Sequence, residues 1–351
     1  MEELDESDLL ARITAAAQTR YPGAEVTGLR RLEGGVSSLT FASALAVEEE
    51  DDLPIVIKVA PPGLAPVRNR DVLRQARVQG SLDGLEGFPV PVVVLKPGGD
   101  PPAFAMALHP GDAYEPRLDV SDDPPSAEDA AERMRVAARA LAQFHSADPM
   151  KLGLGQEPVI GPAEELGRWA QLFDTVDEDL SQGHEELRRR LAERIPAAAR
   201  PTLQHGDYRL ANMLFEGTEL QAVIDWELWS VGDPRFDLCW LLMHTDPPHT
   251  FHAHRPPADI RAGSQVPSAA ELLEEFLRAS TSEGVTELPP LVTGDLEWFL
   301  GVCIYKTAST IAAIAKRERR SADPKEHVLY AADHLDEILQ AGHHTLDRQI
   351  G

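Results

Sequence analysis

The segment from residue 203 to residue 227 constrains this chain more than any other part of its sequence. It reads LQHGDYRLANMLFEGTELQAVIDWE, in which a polar loop precedes one apolar run and an acidic residue follows a second. A Gly-containing turn at residues 216–218 predicts that the two runs pair as a β-hairpin. We therefore expect Asp207, Asn212 and Asp225 to meet at one edge of a two-stranded ribbon.

The three side chains at this edge are suited to phosphoryl transfer. Mg²⁺ is held in proteins by one or two carboxylates together with substrate phosphates and water, so we interpret Asn212 and Asp225 as metal ligands. Phosphoryl transfer also needs a carboxylate that orients the attacking hydroxyl and accepts its proton, a role that we assign to Asp207. An isolated Asp-x4-Asn pattern also occurs in turns, but the preceding His-Gly pair and the flanking strands favour the catalytic interpretation.

The order of predicted elements indicates an α+β protein with two lobes. A helix at residues 5–20 precedes a strand-rich region, and helices dominate after residue 108. Strands are predicted at 25–32, 38–47, 53–60, 90–95 and 104–108, with one helix at 68–83 inserted among them. Later helices are predicted at 126–145, 162–175, 183–195, 268–280, 294–318 and 325–345. We expect a small antiparallel-sheet lobe over 1–108, a larger helical lobe over 109–351 and a cleft between them.

Two features of the small lobe suit the binding of nucleotide phosphates. Gly34, Gly35, Ser37 and Ser38 lie between two predicted strands, where small residues let backbone N–H groups approach a phosphate. Lys58 is a lone cation in an apolar strand, one hairpin further on, where it could contact the α- and β-phosphates. The alternatives are ordinary: a Gly-Gly pair is common in hairpin turns, and a strand lysine often extends to water.

Composition excludes several classes of function. The formal net charge is −25, which disfavours a nucleic-acid binder or a protein that docks on an anionic membrane. The first residues lack the basic start and apolar core of a signal peptide, so we expect a cytoplasmic protein. The apolar stretch 299–315 carries Lys306 at its centre, which indicates a buried helix rather than a membrane span. The partner that we expect is a small molecule with a hydroxyl group, and the oligomeric state stays open.

These residues resemble the aminoglycoside phosphotransferase-like, or choline-kinase-like, small-molecule kinases. The resemblance extends from about Val26 to about His343 and is most specific over residues 205–242. That segment includes Gly-Asp-Pro-Arg-Phe-Asp-Leu at 232–238, similar to the Gly-Asp-Pro-x-x-Asp-Leu motif of the family. The resemblance implies a protein-kinase-like fold, with ATP or GTP and Mg²⁺ as cofactors.

The resemblance also implies roles for individual residues. Asp207 would be the catalytic aspartate, and Asn212 and Asp225 would bind Mg²⁺. Lys58 would contact the α/β-phosphates, residues 34–38 would form the phosphate loop, and the strand 104–108, including Met106 and Leu108, would hold the adenine through backbone groups. Asp237 would brace the catalytic loop rather than react.

Within the family, the pattern at 205–228 looks like the kinase-like domains that some acyl-CoA dehydrogenases carry. This closer resemblance implies a hydroxyacyl-CoA as acceptor, and an aminoglycoside or macrolide antibiotic is the competing acceptor. One position departs from the family, because Gln75 stands where a glutamate usually pairs with the strand lysine. Asp71 or Asp83 could supply that carboxylate if the alignment shifts by a turn. A catalytically silent nucleotide- or metabolite-binding module is therefore the alternative of another class.

Two further groups of charged or titratable residues could serve the acceptor. We interpret His244, His249, His252 and His254 as part of an exposed loop on the acceptor side, since their spacing does not suit a zinc site. The basic run 316–320 ends a predicted helix, where cations complement the helix dipole. Its alternative role is an anchor for an anionic acceptor such as the phosphates of CoA.

Overall fold

The computed structural model describes residues 4–32, 38–47, 52–282 and 295–347. Within these ranges the chain has the expected bilobal α+β architecture, a sheet-based lobe followed by a larger helical lobe. The elements of the small lobe are α1 (Glu6–Arg20), β1 (Glu25–Val26), β2 (Arg30–Arg31), β3 (Leu39–Ala46), β4 (Leu53–Val59), α2 (Val72–Leu82), β5 (Val93–Leu95) and β6 (Ala103–Ala107).

The small-lobe sheet is antiparallel, with strand order β1-β3-β4-β6-β5 and β2 paired to β3. Two predicted strands are shorter in the structure, for local reasons. The strand expected over 25–32 is divided into β1 and β2, because Gly28 between them has a left-handed φ of 67°. The strand expected over 90–95 begins only at Val93, after Pro91, which lacks the N–H that a strand interior needs.

Side chains alternate along β4, so that one face of the sheet is apolar and buried and the other faces the cleft. Ile55 and Ile57 are fully buried against the apolar face of α1. The Lys58 side chain points to the opposite face. Within the sheet, Lys58 is paired with Thr40 of β3 and with Phe104 of β6. The strand that supports the core of the small lobe therefore also presents a cation toward the cleft.

The large lobe is mainly helical, with short strands near the cleft. Its elements are α3 (Ala127–Ser146), β7 (Val159–Ile160), α4 (Pro162–Phe173), α5 (His184–Ala192), β8 (Thr202–Gln204), β9 (Met213–Glu216), β10 (Glu219–Val223), β11 (Ser230–Gly232), α6 (Arg235–Met243), α7 (Pro257–Ala262), α8 (Ala269–Ser282), α9 (Leu296–Glu318), α10 (Glu326–Ala332) and α11 (Leu335–Leu346). The β9–β10 pair is the hairpin predicted from the sequence.

Helix α9 is the central helix of the large lobe and packs against α4, α6, α10 and α11. Among the described residues it is the one helix long and apolar enough to cross a membrane by length and composition. About 78% of its most apolar window is buried inside the protein, including Tyr305, Ala308 and the charged Lys306. The helix is thus a core element, as its central lysine indicated.

Candidate active site

The β9–β10 hairpin brings Asn212 and Asp225 to the same end of the ribbon. Asn212 directly precedes β9, and Asp225 follows β10 by two residues. A hydrogen bond from Ile224 N to Asn212 O, 2.9 Å long, extends the pairing past the regular strands. Asp225 has a left-handed backbone with φ of 63°, a conformation that aspartate tolerates better than most residues. This turn directs the chain out of the strand at the carboxylate.

Lys58 reaches this end of the ribbon from the small lobe. Its Nζ lies 2.9 Å from Asp225 Oδ1 and donates a second bond of 3.1 Å to Gln75 Oε1 on α2. Asp71 instead caps the N-terminus of α2 by accepting the Arg74 N–H, and Asp83 lies at the opposite end of that helix. Gln75, and not Asp71 or Asp83, therefore faces the strand lysine, at the position where the family resemblance places a glutamate. The lysine gains a neutral partner there in place of a charged one.

A cavity of about 450 Å³ between the lobes collects most of the predicted nucleotide-binding positions. Its lining includes Ser38, Lys58, Met106, Leu108, Asn212 and Asp225. The predicted phosphate-loop residues Gly34, Gly35 and Ser37 lie outside the described residues. The size is that of a small-molecule site.

The predicted adenine-binding strand has fewer unpaired backbone N–H groups than expected. The N–H of Leu108 donates to Pro54 O at 2.9 Å, and the N–H of Ala107 donates to Val92 O at 2.9 Å, so the small-lobe sheet already uses both. The next residue, His109, also lines the cavity, and its buried Nε2 has no hydrogen-bond partner among the described residues. Burial lowers the pKa of His109, which keeps the imidazole neutral. Sequence reasoning did not single out this residue.

Asp207 lies beside the cavity and is joined to it through Asn212. Asn212 Nδ2 donates to Asp207 Oδ2 at 2.7 Å, and Trp240 Nε1 donates to Asp207 Oδ1 at 2.8 Å. Arg209 Nε lies 3.4 Å from the same Oδ1. Burial by itself would raise the pKa of Asp207, but the cations of Arg209 and Lys306 outweigh it and hold the pKa well below its usual range. The carboxylate is therefore ionised at neutral pH.

Asp237 holds the loop that carries Asp207 in place, as the family resemblance implied. Asp237 is 1% exposed, and its two oxygens accept the backbone N–H groups of His205 at 2.6 Å and Gly206 at 2.9 Å. His205 adds a bond from its Nε2 to Ile224 O, 2.8 Å long. Its Nδ1 accepts the N–H of Asp207, so these partners assign the imidazole tautomer. The loop and the hairpin are thereby one unit.

The structure adds residues that the sequence analysis did not connect to the site. Lys306 had served only as an argument against a membrane span, and Trp240 was expected only as an aromatic residue of the core. Glu115 is fully buried next to the loop, where its Oε2 accepts the Ala211 N–H at 3.4 Å. Burial raises the pKa of Glu115 to about 8, against the opposing effect of Arg209. These residues come from distant parts of the chain, so no local pattern could have grouped them.

The histidine loop is only partly as expected. His244 is 3% exposed, donates from Nδ1 to Trp240 O at 2.7 Å and stacks edge-on against that indole. Placing it in an exposed loop was wrong, because α6 extends to Met243 and His244 caps its end within the core. His254 is exposed, and His249 and His252 are half-buried.

The basic run at the end of α9 is paired with acidic residues of the large lobe. Lys316 and Arg320 lie 3.6 Å and 3.4 Å from Asp177, and Arg319 lies 2.6 Å from Asp179. These contacts agree with the run as the end of a helix, and because exposed ion pairs are weak, its role as an anchor for an anionic acceptor stays a prediction.

The oxygen donors present fit a magnesium ion that is completed by a nucleotide. Among the described residues, no group of three or more His, Cys, Asp and Glu side chains could hold a metal by itself. Asn212 donates both of its bonds to Asp207 from Nδ2, which leaves its amide oxygen for a ligand. Asp225 is 38% exposed and has one oxygen on Lys58. Two hard donors at the end of a cavity match the way Mg²⁺ binds with substrate phosphates.

Comparisons with known proteins agree on one family. Residues 28–286 match the model of the phosphotransferase enzyme family, abbreviated APH. Acyl-CoA dehydrogenase family member 10 of Mus musculus is 25% identical over 299 residues, covering 82% of this chain and 26% of that protein. The probable acyl-CoA dehydrogenase IBR3 of Arabidopsis thaliana is 30% identical over 208 residues, covering 54% of this chain and 24% of that one. The chain thus spans about a quarter of the length of these two relatives.

Solved structures share the fold. A candidate aminoglycoside phosphotransferase of Ralstonia eutropha JMP134 superposes with a TM-score of 0.72 at 20% identity, covering 97% of this chain and 99% of that one. A thermostable mutant of the aminoglycoside phosphotransferase APH(4)-Ia, in ternary complex with ADP and hygromycin B, superposes with a TM-score of 0.58 at 14% identity. The coverage in that pair is 94% of this chain and 98% of the other.

Proposed function

The chain belongs to the phosphotransferase enzyme family, and we propose that it transfers the γ-phosphoryl group of Mg-ATP to a hydroxyl group of a small molecule. The observation that carries this proposal is the convergence of Lys58, Asn212 and Asp225 at the end of the interlobe cavity, with Asp207 bonded to Asn212. Two carboxylates, an amide and a lysine drawn from both lobes are the parts that phosphoryl transfer requires.

In the proposed reaction Asp207 orients the acceptor hydroxyl and takes its proton. The hydroxyl oxygen forms a bond to the γ-phosphorus, the bond from that phosphorus to the β–γ bridging oxygen breaks, and ADP leaves. The low pKa of Asp207 makes it a weak base, which suits a loose transition state in which the proton moves late. Asn212 and Asp225 would hold Mg²⁺, which supplies positive charge against the phosphate oxygens.

The nucleotide would lie in the 450 Å³ cavity, with its phosphates toward Lys58 and Ser38. Phosphates would compete with Asp225 for the Lys58 ammonium, and release of that carboxylate would free both of its oxygens for the metal. At the other end, Leu108 and His109 line the cavity, and the His109 imidazole, whose Nε2 has no hydrogen-bond partner among the described residues, would bond the base. We leave ATP and GTP as alternatives, to be separated by competition of each nucleotide for the same site.

For the acceptor, a hydroxyacyl-CoA is the candidate that we favour over an aminoglycoside or macrolide. Arg209 lies against the proposed base and is 27% exposed, so a cation faces the place where the acceptor hydroxyl must lie. A guanidinium there can donate hydrogen bonds to a carbonyl or carboxylate near the acceptor hydroxyl, which favours an acceptor of that kind. The matched relatives are acyl-CoA dehydrogenase family members, which supports the same class.

The second candidate is a binding module without catalysis, and Gln75 is the observation that favours it. A neutral partner holds Lys58 less firmly than the usual glutamate would, because charge-assisted hydrogen bonds are about twice as strong as neutral ones. Asp207 argues for the enzyme, since a binding protein has no need of an ionised carboxylate at this place.

The deciding experiment is an ADP-release screen with Mg-ATP across hydroxyacyl-CoAs, amino alcohols, sugars and antibiotics, with Asp207→Asn as the matched control. We expect acceptor-dependent ADP release from the unsubstituted protein and little from the variant, with the phosphorylated product identified by mass spectrometry. If nucleotide binds but no acceptor raises ADP release above hydrolysis, the binding module becomes the better account.

A further inference from the structure

Lys306 is a buried cation that the proposed reaction does not use directly. It lies in the middle of α9 and is 7% exposed. Its ammonium donates to the carbonyl of Gly206, the residue before the proposed base. The same ammonium lies 3.6 Å from the centre of the Trp240 ring and 5.1 Å from the centre of the Trp169 ring. The cation is thus enclosed by two indoles and one carbonyl of the catalytic loop.

Trp240 connects this cation to Asp207. One face of its indole receives the Lys306 ammonium, and its ring N–H donates to Asp207 Oδ1 at 2.8 Å. Lys306 therefore contacts the catalytic loop on both sides of the peptide that joins Gly206 to Asp207. A cation over the face of an indole also makes its N–H a stronger donor, because the two interactions polarise the ring in the same direction.

Burying a lysine ammonium costs free energy, because the charged group loses its hydration. Burial lowers the pKa of Lys306, and the negative charge of Asp207 opposes that effect. Removing one member of a buried charge pair usually destabilises a protein, but here Asp207 keeps the Arg209 guanidinium as a cationic partner, so loss of Lys306 leaves no unpaired carboxylate. Methionine would fit the space between two indoles, since its sulfur packs well on aromatic rings. The fold alone therefore gives little reason for a lysine at this position.

We propose that Lys306 and Trp240 form a positioning pair that fixes the orientation of the Asp207 carboxylate. The inference rests on the proposed function, in which Asp207 receives the acceptor hydroxyl. Trp240 and Arg209 hold one oxygen of Asp207 while Asn212 holds the other, so the rotation of the carboxylate is defined from both sides. Lys306 fixes the indole and the preceding carbonyl, and through them it fixes the position of the Asp207 carboxylate.

The test compares Lys306→Met and Trp240→Phe with Trp298→Phe as a matched control. Trp298 is 3% exposed on the same helix as Lys306, and its indole N–H bonds to Leu191 O at 2.9 Å. The control thus loses a buried indole hydrogen bond away from the site. Each protein is measured for its melting temperature, for ADP release from Mg-ATP with water as acceptor, and for its indole ¹H–¹⁵N resonances.

We expect Lys306→Met to melt close to the temperature of the unsubstituted protein, because Arg209 still pairs with Asp207, while kcat falls roughly 10- to 100-fold and KM for Mg-ATP changes by no more than about 2-fold. Trp240→Phe should lower kcat similarly, and the double variant should fall no further than the stronger single variant, because both act through one carboxylate. The Trp240 indole resonance should move in Lys306→Met, a reading that does not require turnover. Trp298→Phe should keep kcat.

Loss of stability and activity in proportion would assign Lys306 a structural role only and overturn the proposal. An unmoved Trp240 resonance in Lys306→Met, or additive losses in the double variant, would also overturn it. Asp207→Asn separates this outcome from failure of the proposed function. If that variant still transfers phosphate at the full rate, Asp207 is not the base. If it is inactive while Lys306→Met is fully active, only the positioning pair fails.

Discussion

The two halves of the active site are held in different ways. On the nucleotide side, Lys58 contacts Asp225 and Gln75, and the Asp225 side chain is 38% exposed. On the acceptor side, the loop that carries Asp207 rests on Asp237, which is 1% exposed and bonds two consecutive backbone N–H groups. The first arrangement has a few exchangeable contacts, and the second is defined by buried contacts on several sides.

The difference follows from what each half must do. Metal and phosphates arrive and leave in each cycle, so their ligands need temporary partners that a substrate can displace at small cost. The base must keep one orientation through every cycle, because a small displacement of a reacting group costs much of the rate. Buried bonds with defined geometry supply that constancy, and exposed pairs contribute little to stability. Four substitutions can break or sharpen this contrast.

The largest effect is expected at the base itself. Asp207→Asn keeps the shape of the side chain but removes the proton acceptor, so we expect acceptor-dependent kcat to fall by roughly 10²–10⁴. Binding of Mg-ATP, measured by calorimetry, should change little, because Asp207 does not line the nucleotide cavity. A large loss of nucleotide affinity with kcat preserved would mean that Asp207 serves nucleotide binding and is not the base.

The next largest effect is expected at the metal ligands. Asp225→Asn should raise the Mg²⁺ concentration needed for half-maximal ADP release by roughly 10²-fold, since one charged oxygen donor is lost. Glu219→Gln is the matched control, a carboxylate-to-amide change at an exposed position on β10 of the same hairpin. Equal Mg²⁺ requirements in the two variants would exclude Asp225 as a ligand.

An effect of intermediate size, on stability, is expected at Asp237, which holds the loop that carries Asp207. Burial alone would raise the pKa of Asp237, but the neighbouring His145 and the backbone N–H groups hold it below its usual value. A carboxylate with a lowered folded pKa stabilises the fold above its unfolded pKa of about 4, and this stabilisation is lost as the pH falls through the folded value.

Asp237→Asn should therefore lower the free energy of unfolding by about 2 kcal/mol at neutral pH, because one backbone donor loses its charged acceptor. The difference between the two proteins should shrink when the pH falls below about 4. Urea unfolding at a series of pH values measures both. A difference that stays constant into acid would show that the charge of Asp237 does not stabilise the loop.

The smallest effect is expected at Gln75. Gln75→Glu would give Lys58 a charged partner on α2 and free Asp225 from that role, so we expect Mg-ATP to bind roughly 2- to 5-fold more tightly. Gln75→Leu removes the hydrogen bond and should act in the opposite direction. Titration with a fluorescent ATP analogue compares the three proteins. Weaker binding by Gln75→Glu would mean that the cost of burying its charge exceeds the gain.

Much of this site could be predicted from local patterns. The hairpin, the three polar residues around it and the Lys58 strand each lie within a short stretch, where side-chain alternation and turn residues determine which groups share an edge. Gln75 was also placed correctly, but from the family resemblance, which puts a glutamate at this helix position facing the strand lysine. At His244 the prediction was wrong, because helix α6 reaches Met243 and places the next residue in the core instead of in an exposed loop.

The sequence by itself determined the α+β order of elements, the hairpin that joins Asn212 to Asp225, and the acidic charge that disfavours nucleic acid as a partner. Only the tertiary structure decided that Lys306 and Trp240 contact the catalytic loop and that the sheet already uses the N–H of Leu108. The reason is physical. Periodicity shows which face of an element is apolar, but contacts between residues about a hundred positions apart depend on how whole helices pack, which no local pattern encodes.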